Sequence, residues 1–210
     1  MSEIQVLLVA GTHGNEINAI WLFDQWSKDP DLIKTSGVNI SKVIGNPLAR
    51  KNGRRYIDDD LNRSFLKELE TSLDKSSYEF KRSKELLNEF GPNGKKACQF
   101  VLDFHSTTAE MGSCLVIYGR RPSDLALASL IQNQLGLPIY LHEGDNSQTG
   151  FLVESWPCGL VIEIGPVPQG YLDQDIVTKT KLILEAFLEQ IAKLSCSKEL
   201  YPKELIIHRH

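Results

Sequence analysis

The hexapeptide Gly11–Glu16 (Gly-Thr-His-Gly-Asn-Glu) places an imidazole and a carboxylate three residues apart. A turn at this point would bring His13 and Glu16 together. Nitrogen and oxygen ligands suit zinc, and a catalytic zinc site typically keeps three protein ligands and one open position. Gly11 and Gly14 suit the close backbone turns that such a loop needs. The hexapeptide therefore predicts two zinc ligands, with simple capping of a helix by His13 and Glu16 as the alternative.

His105 is the candidate for the third ligand. It ends an apolar run that starts at Phe100, and α/β proteins build their sites at the carboxyl ends of strands. Asp103 lies two residues earlier, on the same side of an extended strand, so it could orient the imidazole from outside the ligand set. Taken alone, a histidine at a strand end is more often a surface or hydrogen-bonded core residue. The hexapeptide is what favours the ligand role.

Glu163 interrupts the apolar run Leu160–Gly165. A carboxylate in apolar surroundings is costly unless it is paired or neutralised. Burial raises its pKa toward the range in which it can act as a general base or acid. The alternative is an alternating strand with Glu163 on a solvated face, but apolar neighbours on both sides favour the buried position.

A polar and basic stretch between Gly45 and Phe65 begins with a cluster of four cationic residues, Arg50, Lys51, Arg54 and Arg55. Arginine binds carboxylates through two parallel hydrogen bonds, and Asn62 beside Arg63 adds a neutral donor. A basic loop in an acidic chain indicates a small anionic substrate. For the first three cations we favour a solvated loop in which Asp58–Asp60 pair with them.

The elements that must position these residues follow an α/β pattern. Short runs rich in Val and Ile alternate with segments of helical period, which predicts a mostly parallel mixed sheet flanked by helices. Strands are predicted at Ile4–Ala10, Val38–Ile44, Phe100–His105, Cys114–Tyr118 and Leu160–Ile164. Helices are predicted at Asn15–Trp26, Ser77–Phe90, Asp124–Leu135 and Asp173–Leu194.

Composition narrows the class of protein. The chain has 210 residues, is 41% hydrophobic and carries a formal net charge of -4. A chain of this length buries about 70% of its extended surface, enough for one sizeable core. The chain has 23 Lys and Arg and 27 Asp and Glu, so it has no overall positive field that would favour nucleic-acid binding. The cluster Arg50–Arg55 is the only feature that suggests such binding.

Neither membrane insertion nor export is expected. The apolar run Ile4–Ala10 is far shorter than the ~20 residues that span a bilayer, and the first residues lack the positive charge of a signal peptide. The cysteines are scattered without a C-x-x-C pair, which indicates neither a disulfide scaffold nor a cysteine zinc site: Cys98, Cys114, Cys158 and Cys196. We therefore expect a cytoplasmic protein.

The end of the chain differs from the rest. After the long predicted helix, residues 197–203 have the composition of a linker, and Leu205–His208 begins what resembles a strand. We expect a zinc hydrolase catalytic domain over residues 1–195. Residues 196–210 are expected to form a linker and the start of a C-terminal β domain that is otherwise missing.

Four motifs in order along the chain resemble the aspartoacylase and succinylglutamate desuccinylase family, and within it the aspartoacylase branch. They are Gly11–Glu16, Arg55–Arg63, Asp103–Thr108 and Ile162–Gly170. The resemblance covers about the first four fifths of the chain. It implies a zinc carboxypeptidase-like α/β fold and an enzyme that hydrolyses the amide bond of an N-acyl-L-aspartate to L-aspartate and a carboxylate.

The resemblance also implies roles for individual residues. One zinc ion per chain would be held by His13, Glu16 and His105. Glu163 would activate the zinc-bound water and then pass its proton to the leaving amine. Substrate would be bound by four further residues: Arg55, which steadies the developing oxyanion, Asn62 and Arg63, which grip a carboxylate, and Thr107.

Two departures from the family pattern keep other functions open. An arginine that grips the aspartyl side chain is expected ten residues before Glu163, but Val153 occupies that position. The β-rich C-terminal domain, which contributes a tyrosine, is missing apart from its expected first strand. The alternatives are a deacylase of another acidic or aromatic N-acyl amino acid and a zinc-binding protein without turnover. Homo-oligomer formation is left open.

Overall fold

The computed structural model describes residues 4–35, 37–65, 75–143, 145, 149–194 and 204–209. The strands in these ranges are β1 Gln5–Ala10, β2 Asn39–Ile44, β3 Phe100–Ser106, β4 Cys114–Tyr118, β5 Ile139–His142, β6 Cys158–Ile164 and β7 Ile207–Arg209. The α-helices are α1 Ile17–Lys28, α2 Pro47–Lys51, α3 Tyr78–Phe90, α4 Pro122–Leu135 and α5 Gln174–Leu194. Short 3₁₀ turns lie at Pro30–Leu32, Leu61–Arg63 and Leu152–Ser155.

The seven strands form one sheet in the order β2-β1-β3-β6-β4-β5-β7. The pairing of β4 with β6 is antiparallel, and the other five pairings are parallel. The predicted mixed, mostly parallel sheet flanked by helices is therefore confirmed. Fold class followed from the alternation of apolar runs with helical segments, which is the pattern that parallel strands and crossover helices impose.

Strand β1 shows how the sheet is covered on both faces. Val6, Leu8 and Ala10 pack into one apolar cluster, whereas Leu7 and Val9 pack into another. Successive side chains of a strand point to opposite faces, so both faces of β1 are buried. This explains why the strand is a continuous apolar run without alternation, as in parallel sheets covered by helices on both sides.

Two short elements were not predicted from sequence. Strand β5 has four residues after Pro138, and a run of that length carries little periodicity. Helix α2 lies in the stretch expected to be a loop; Pro47 opens it and the Asn46 side chain accepts a hydrogen bond from the Ala49 N–H at 3.0 Å. Proline at the first position and asparagine at the N-cap are ordinary signals for a helix start.

The last strand lies at the edge of the main sheet. Ile207–Arg209 pairs in parallel with Ile139–Leu141 of β5. The Ile206 N–H also donates to the Gln132 side chain of α4 at 2.7 Å. Residues 195–203, with Cys196 and the expected linker, lie outside the described residues. The division of the chain at residue 195 stays a prediction.

Two further features of the described ranges concern the chain as a whole. No helix among the described residues is long and apolar enough to cross a membrane. Cys98, Cys114 and Cys158 are buried and free.

Candidate metal centre and active site

The carboxyl ends of three neighbouring parallel strands bring the candidate residues together. His13 follows β1 directly, His105 lies near the end of β3, and Glu163 lies near the end of β6. In the register of β3 and β6, His105 faces Glu163. Parallel strands end at the same edge of a sheet, so residues far apart in sequence meet there.

His13, Glu16 and His105 form a compact cluster whose ligand atoms all lie within 4.8 Å of one another. The Glu16 carboxylate lies 2.7 Å from His13 Nδ1 and 3.0 Å from His105 Nδ1. The two Nδ1 atoms are 3.1 Å apart. All three residues are at most 4% exposed, so this cluster is a buried polar site.

The loop between β1 and α1 shapes the cluster. Gly14 packs against α2 so closely that a Cβ there would lie 2.1 Å from the Arg50 backbone nitrogen. Glu16 stands at the N-cap of α1, but its side chain makes no capping hydrogen bond. Instead it accepts a hydrogen bond from the Ser106 N–H at 2.9 Å and faces the two histidines. The Glu16 side chain thus faces the cluster and does not cap α1.

Each histidine of the cluster is held by a carboxylate at its other ring nitrogen. His105 Nε2 lies 2.9 Å from Asp103, whose second oxygen accepts from the Thr12 hydroxyl at 2.7 Å. His13 Nε2 lies 3.1 Å from Asp60. Carboxylates in this position fix the ring orientation of metal-binding histidines. The arrangement leaves both Nδ1 atoms directed at one point.

The electrostatics of the cluster favour a positive charge at its centre. Burial opposes protonation of His105, but the Asp103 and Glu16 carboxylates outweigh it and raise the pKa of His105 well above its usual value. Burial also opposes ionisation of Glu16, yet His105 and His13 hold its pKa well below the usual range. Buried carboxylates need such a cationic partner. Two imidazoles and one carboxylate are the ligand set of many catalytic zinc sites, so these residues fit zinc.

Glu163 lies beside the cluster and lines a cavity. Burial raises the pKa of its carboxyl group, and the charges of His105 and His13 only partly oppose this rise. The side chain is partly buried and borders this cavity, which differs from the fully solvated face that was the alternative. Its role in proton transfer at the cluster stays a prediction.

The cavity above the cluster has a volume of about 220 Å³. Six of its lining residues belong to the predicted site, and four do not. The first six are His13, Arg55, Asn62, Arg63, His105 and Glu163; the other four are Val116, Tyr118, His142 and Phe151. The structure thus adds a mainly aromatic wall that sequence reasoning missed.

Three of the residues predicted to bind substrate, Arg55, Asn62 and Arg63, differ in exposure and in their hydrogen-bond partners. The half-exposed Arg55 guanidinium lies 3.5 Å from Glu16 and 3.4 Å from Asp60. Buried Asn62 accepts the Leu152 N–H at 2.9 Å through its side-chain oxygen. Arg63 donates to the Asn62 carbonyl at 2.9 Å. Arg55 is the most exposed of these three residues.

Thr107 and Val153 do not line the cavity. The Thr107 hydroxyl accepts the Ala109 N–H at 3.1 Å in the turn after β3. Val153 is fully buried, and its carbonyl accepts a hydrogen bond from Arg121 at 3.1 Å. The position where an arginine was expected thus lies in the protein core.

The expected pairing of the basic loop with Asp58–Asp60 is wrong for Arg50. Arg50 pairs with Asp24 of α1, because helix α2 turns it toward that side. Asp60 is occupied by His13 and Arg55. Lys51 and Arg54 are exposed, as expected for a solvated segment.

The missed wall residues carried different signals in the sequence. Val116 and Tyr118 alternate along β4, so they share one face of a strand that was predicted. His142 ends β5, which was not predicted, and Phe151 follows a polar stretch. Only the strand order, with β4 between β6 and β5, brings them beside Glu163.

The sheet with a two-histidine, one-carboxylate cluster at its carboxyl edge defines a zinc-peptidase-like domain. The chain belongs to the succinylglutamate desuccinylase/aspartoacylase family, whose catalytic-domain model matches residues 2–191.

Curated relatives support the same assignment. A probable aspartoacylase of Prochlorococcus marinus is 62% identical over 210 residues, covering 100% of this chain and 68% of the relative. A probable aspartoacylase of a Synechococcus species is 56% identical and is covered to 69%. The chain therefore spans about two thirds of the length of these relatives.

Solved structures agree in fold. Murine aminoacylase 3 matches with a TM-score of 0.78 and 31% identity, over 93% of this chain and 66% of that protein. Succinylglutamate desuccinylase from Vibrio cholerae matches with a TM-score of 0.71 and 20% identity, over 98% and 61%. The second likeness concerns the fold alone.

Proposed function

We propose that the chain is the catalytic part of a zinc-dependent amidohydrolase that hydrolyses N-acyl-L-aspartate to L-aspartate and a carboxylate. The observation that carries this proposal is the buried cluster of His13, Glu16 and His105 at the base of a cavity that Glu163 also lines. Family membership and the probable aspartoacylases among its relatives support the reaction class.

His13, Glu16 and His105 would hold one zinc ion per chain through two nitrogen atoms and one carboxylate. When bound, zinc lowers the pKa of water to about 7 and polarises an amide carbonyl. Asp60 and Asp103 keep the two imidazoles oriented for this task.

Glu163 is the proposed general base and then general acid. Its raised pKa suits a carboxylate that first accepts a proton from the attacking water and then donates it to the leaving amine. A strongly acidic carboxyl group would perform the second transfer poorly. A zinc-binding protein without turnover has no need for such a group beside its ligands, which argues against that alternative.

Arg55, Asn62 and Arg63 are the proposed polar contacts of the substrate. The Arg55 guanidinium lies at the cavity beside Glu16, where it can stabilise the oxyanion of the tetrahedral intermediate. Asn62 and Arg63 are adjacent donors suited to one substrate carboxylate. Thr107 is proposed as a further contact beside the cavity; its hydroxyl accepts the Ala109 N–H and keeps its own proton to donate.

The second candidate is a deacylase for another acidic or an aromatic N-acyl amino acid. Two observations favour it: Val153 is buried in place of the expected arginine, and Tyr118 and Phe151 give the cavity an aromatic wall. The similarity to murine aminoacylase 3 is in line with this candidate.

The remaining proposals concern the setting of the enzyme. We propose a cytoplasmic protein whose partner is a small anionic N-acyl amino acid, with no nucleic acid or membrane partner. Residues 1–195 are proposed as the catalytic domain. The net charge of -4 and the local arginines of the cavity support an anionic small molecule over a polyanion.

A hydrolysis panel tests the proposal. The zinc-loaded protein is assayed on N-acetyl-L-aspartate and on N-acetyl derivatives of glutamate, leucine and phenylalanine, beside Glu163→Gln. We expect turnover that falls by at least about 10²-fold in the variant, since general acid–base catalysis contributes that much. Equal activity of the variant would contradict the mechanism. Absence of turnover on every substrate would favour a binding protein.

A further inference from the structure

The aromatic wall of the cavity is a layered structure. Tyr118 stacks on Phe151 with ring centroids 3.8 Å apart and an interplanar angle of 25°. The Arg63 guanidinium carbon lies 4.0 Å from the centroid of the same Phe151 ring. Two groups at these distances cannot share one ring face, so Phe151 lies between Tyr118 and Arg63. This packing holds the wall in place beside the cluster.

His142 stands against this wall through its ring edge. Its ring centroid is 5.6 Å from that of Tyr118 and 5.7 Å from that of Phe151, at interplanar angles of 65° and 70°. Such edge-to-face contacts fix the ring orientation. The ring borders the same cavity as Glu163.

The Nε2 atom of His142 is shielded from solvent and has no hydrogen-bond partner among the described residues. Buried polar atoms in proteins are almost always hydrogen-bonded, because an unmet bond costs free energy. Because His142 borders the cavity, a bound ligand can supply the missing hydrogen-bond partner of this atom.

The aspartyl side chain of the proposed substrate supplies such a partner. The arginine expected to bind its carboxylate is Val153, which is fully buried and does not border the cavity. Arg63 and Asn62 are already proposed for one carboxylate, and Arg55 for the oxyanion. The Nε2 atom of His142 is a further possible donor at the cavity and has no hydrogen-bond partner among the described residues.

We propose that His142 donates a hydrogen bond from Nε2 to the side-chain carboxylate of the substrate, and so determines the choice of amino acid. This inference rests on the proposed amidohydrolase function. The Nε2–H group of an imidazole donates one hydrogen bond to a carboxylate, where a guanidinium donates two. The enzyme therefore selects a side chain that carries an acceptor over one of equal shape that carries none.

Leucine and aspartate side chains are close in shape and differ in the acceptor, so their N-acetyl derivatives form the test pair. His142→Phe keeps an aromatic ring in the wall and removes Nε2; His142→Gln keeps a donor. We expect His142→Phe to lower the aspartate-to-leucine ratio of kcat/KM about 10- to 100-fold, the usual effect of a hydrogen bond to a charged group. We expect His142→Gln to keep part of the ratio. His208→Phe, at an exposed residue of β7, is the matched control.

A binding measurement separates this inference from the proposed reaction. Calorimetry with L-aspartate and L-leucine on the zinc-loaded protein needs no turnover. If the wild type hydrolyses nothing but His142→Phe still loses binding of L-aspartate selectively, the proposed reaction fails and the role of His142 stands. Equal losses for both ligands, an unchanged ratio, or no preference of the wild type for L-aspartate would each overturn the role of His142.

Discussion

At the scale of single residues, each histidine of the cluster is paired with a carboxylate. His105 with Asp103 and His13 with Asp60 repeat one arrangement, a carboxylate behind an imidazole. The meeting of His13, Glu16 and His105 could be predicted, because these residue types at strand ends already suggest a metal site. The role of Asp60 could not, since it lies 47 residues from His13 and only the folded loop joins them.

Removing either orienting carboxylate should weaken zinc binding. We expect Asp60→Asn and Asp103→Asn each to lower zinc affinity about 10- to 100-fold, because the imidazoles lose orientation and basicity. Competition with a chromophoric chelator measures the dissociation constant. Asp175→Asn, at an exposed residue of α5, is the control. Wild-type affinity in Asp60→Asn would show that this carboxylate serves only Arg55.

Because the pKa of Glu163 is raised in the folded state, we expect the stability of the protein to depend on pH through this group. Its folded pKa lies above the ordinary value of 4.5, so the folded state holds this proton more tightly than the unfolded state. The stabilising contribution is complete below that ordinary value and is lost as pH rises through the folded pKa. Melting temperatures of the metal-free wild type, taken relative to Glu163→Gln, should therefore fall across this interval. A constant difference would mean that the carboxyl group is not perturbed.

At the scale of elements, the apolar runs and the helical period located six of the seven described strands and four of the five described α-helices. Boundaries differed by at most a few residues, as for Leu160–Ile164 against Cys158–Ile164. Strand β5 and helix α2 were missed because four or five residues show no clear period. Because β5 was missed, His142 was not recognised as a residue of the cavity. Its position depends on the strand order of the whole sheet, which local sequence does not specify.

The loop between β1 and α1 lies so close to α2 that we expect no larger residue to be tolerated at position 14. A Cβ there would meet the Arg50 nitrogen at 2.1 Å and the Ala49 carbonyl carbon at 2.2 Å, and neither backbone atom can turn aside. We expect Gly14→Ala to shift the loop and to abolish tight zinc binding. Gly53→Ala is the matched control: it meets nothing within 4 Å and is strained only by its φ of +60°. It should lose about 1 kcal/mol of stability and keep its zinc. Equal zinc affinity in both variants would contradict the packing argument.

At the scale of the whole molecule, the cluster of His13, Glu16 and His105 joins the loop between β1 and α1 to strand β3. His13 and Glu16 lie in that loop and His105 lies in β3, and the sheet beneath them has apolar clusters on both faces. A ligand that binds only the folded state stabilises it by mass action.

Zinc should therefore raise the melting temperature. At a free concentration of one hundred times its dissociation constant, the gain is about 2.7 kcal/mol. Differential scanning calorimetry with buffered zinc should show the rise in the wild type and not in His105→Ala. A similar rise in the variant would place the metal elsewhere.

The parallel pairing of β1 with β3 determines when, during folding, the metal site can form. His13 and His105 are 92 positions apart and meet only when these strands lie side by side. Contacts between such distant positions form late, since closing a long loop costs entropy. A nascent chain that has emerged only as far as α3 cannot retain the ion at this centre. Metal capture should therefore report completed assembly of the central strands, and a kinetic zinc probe would time that step during refolding.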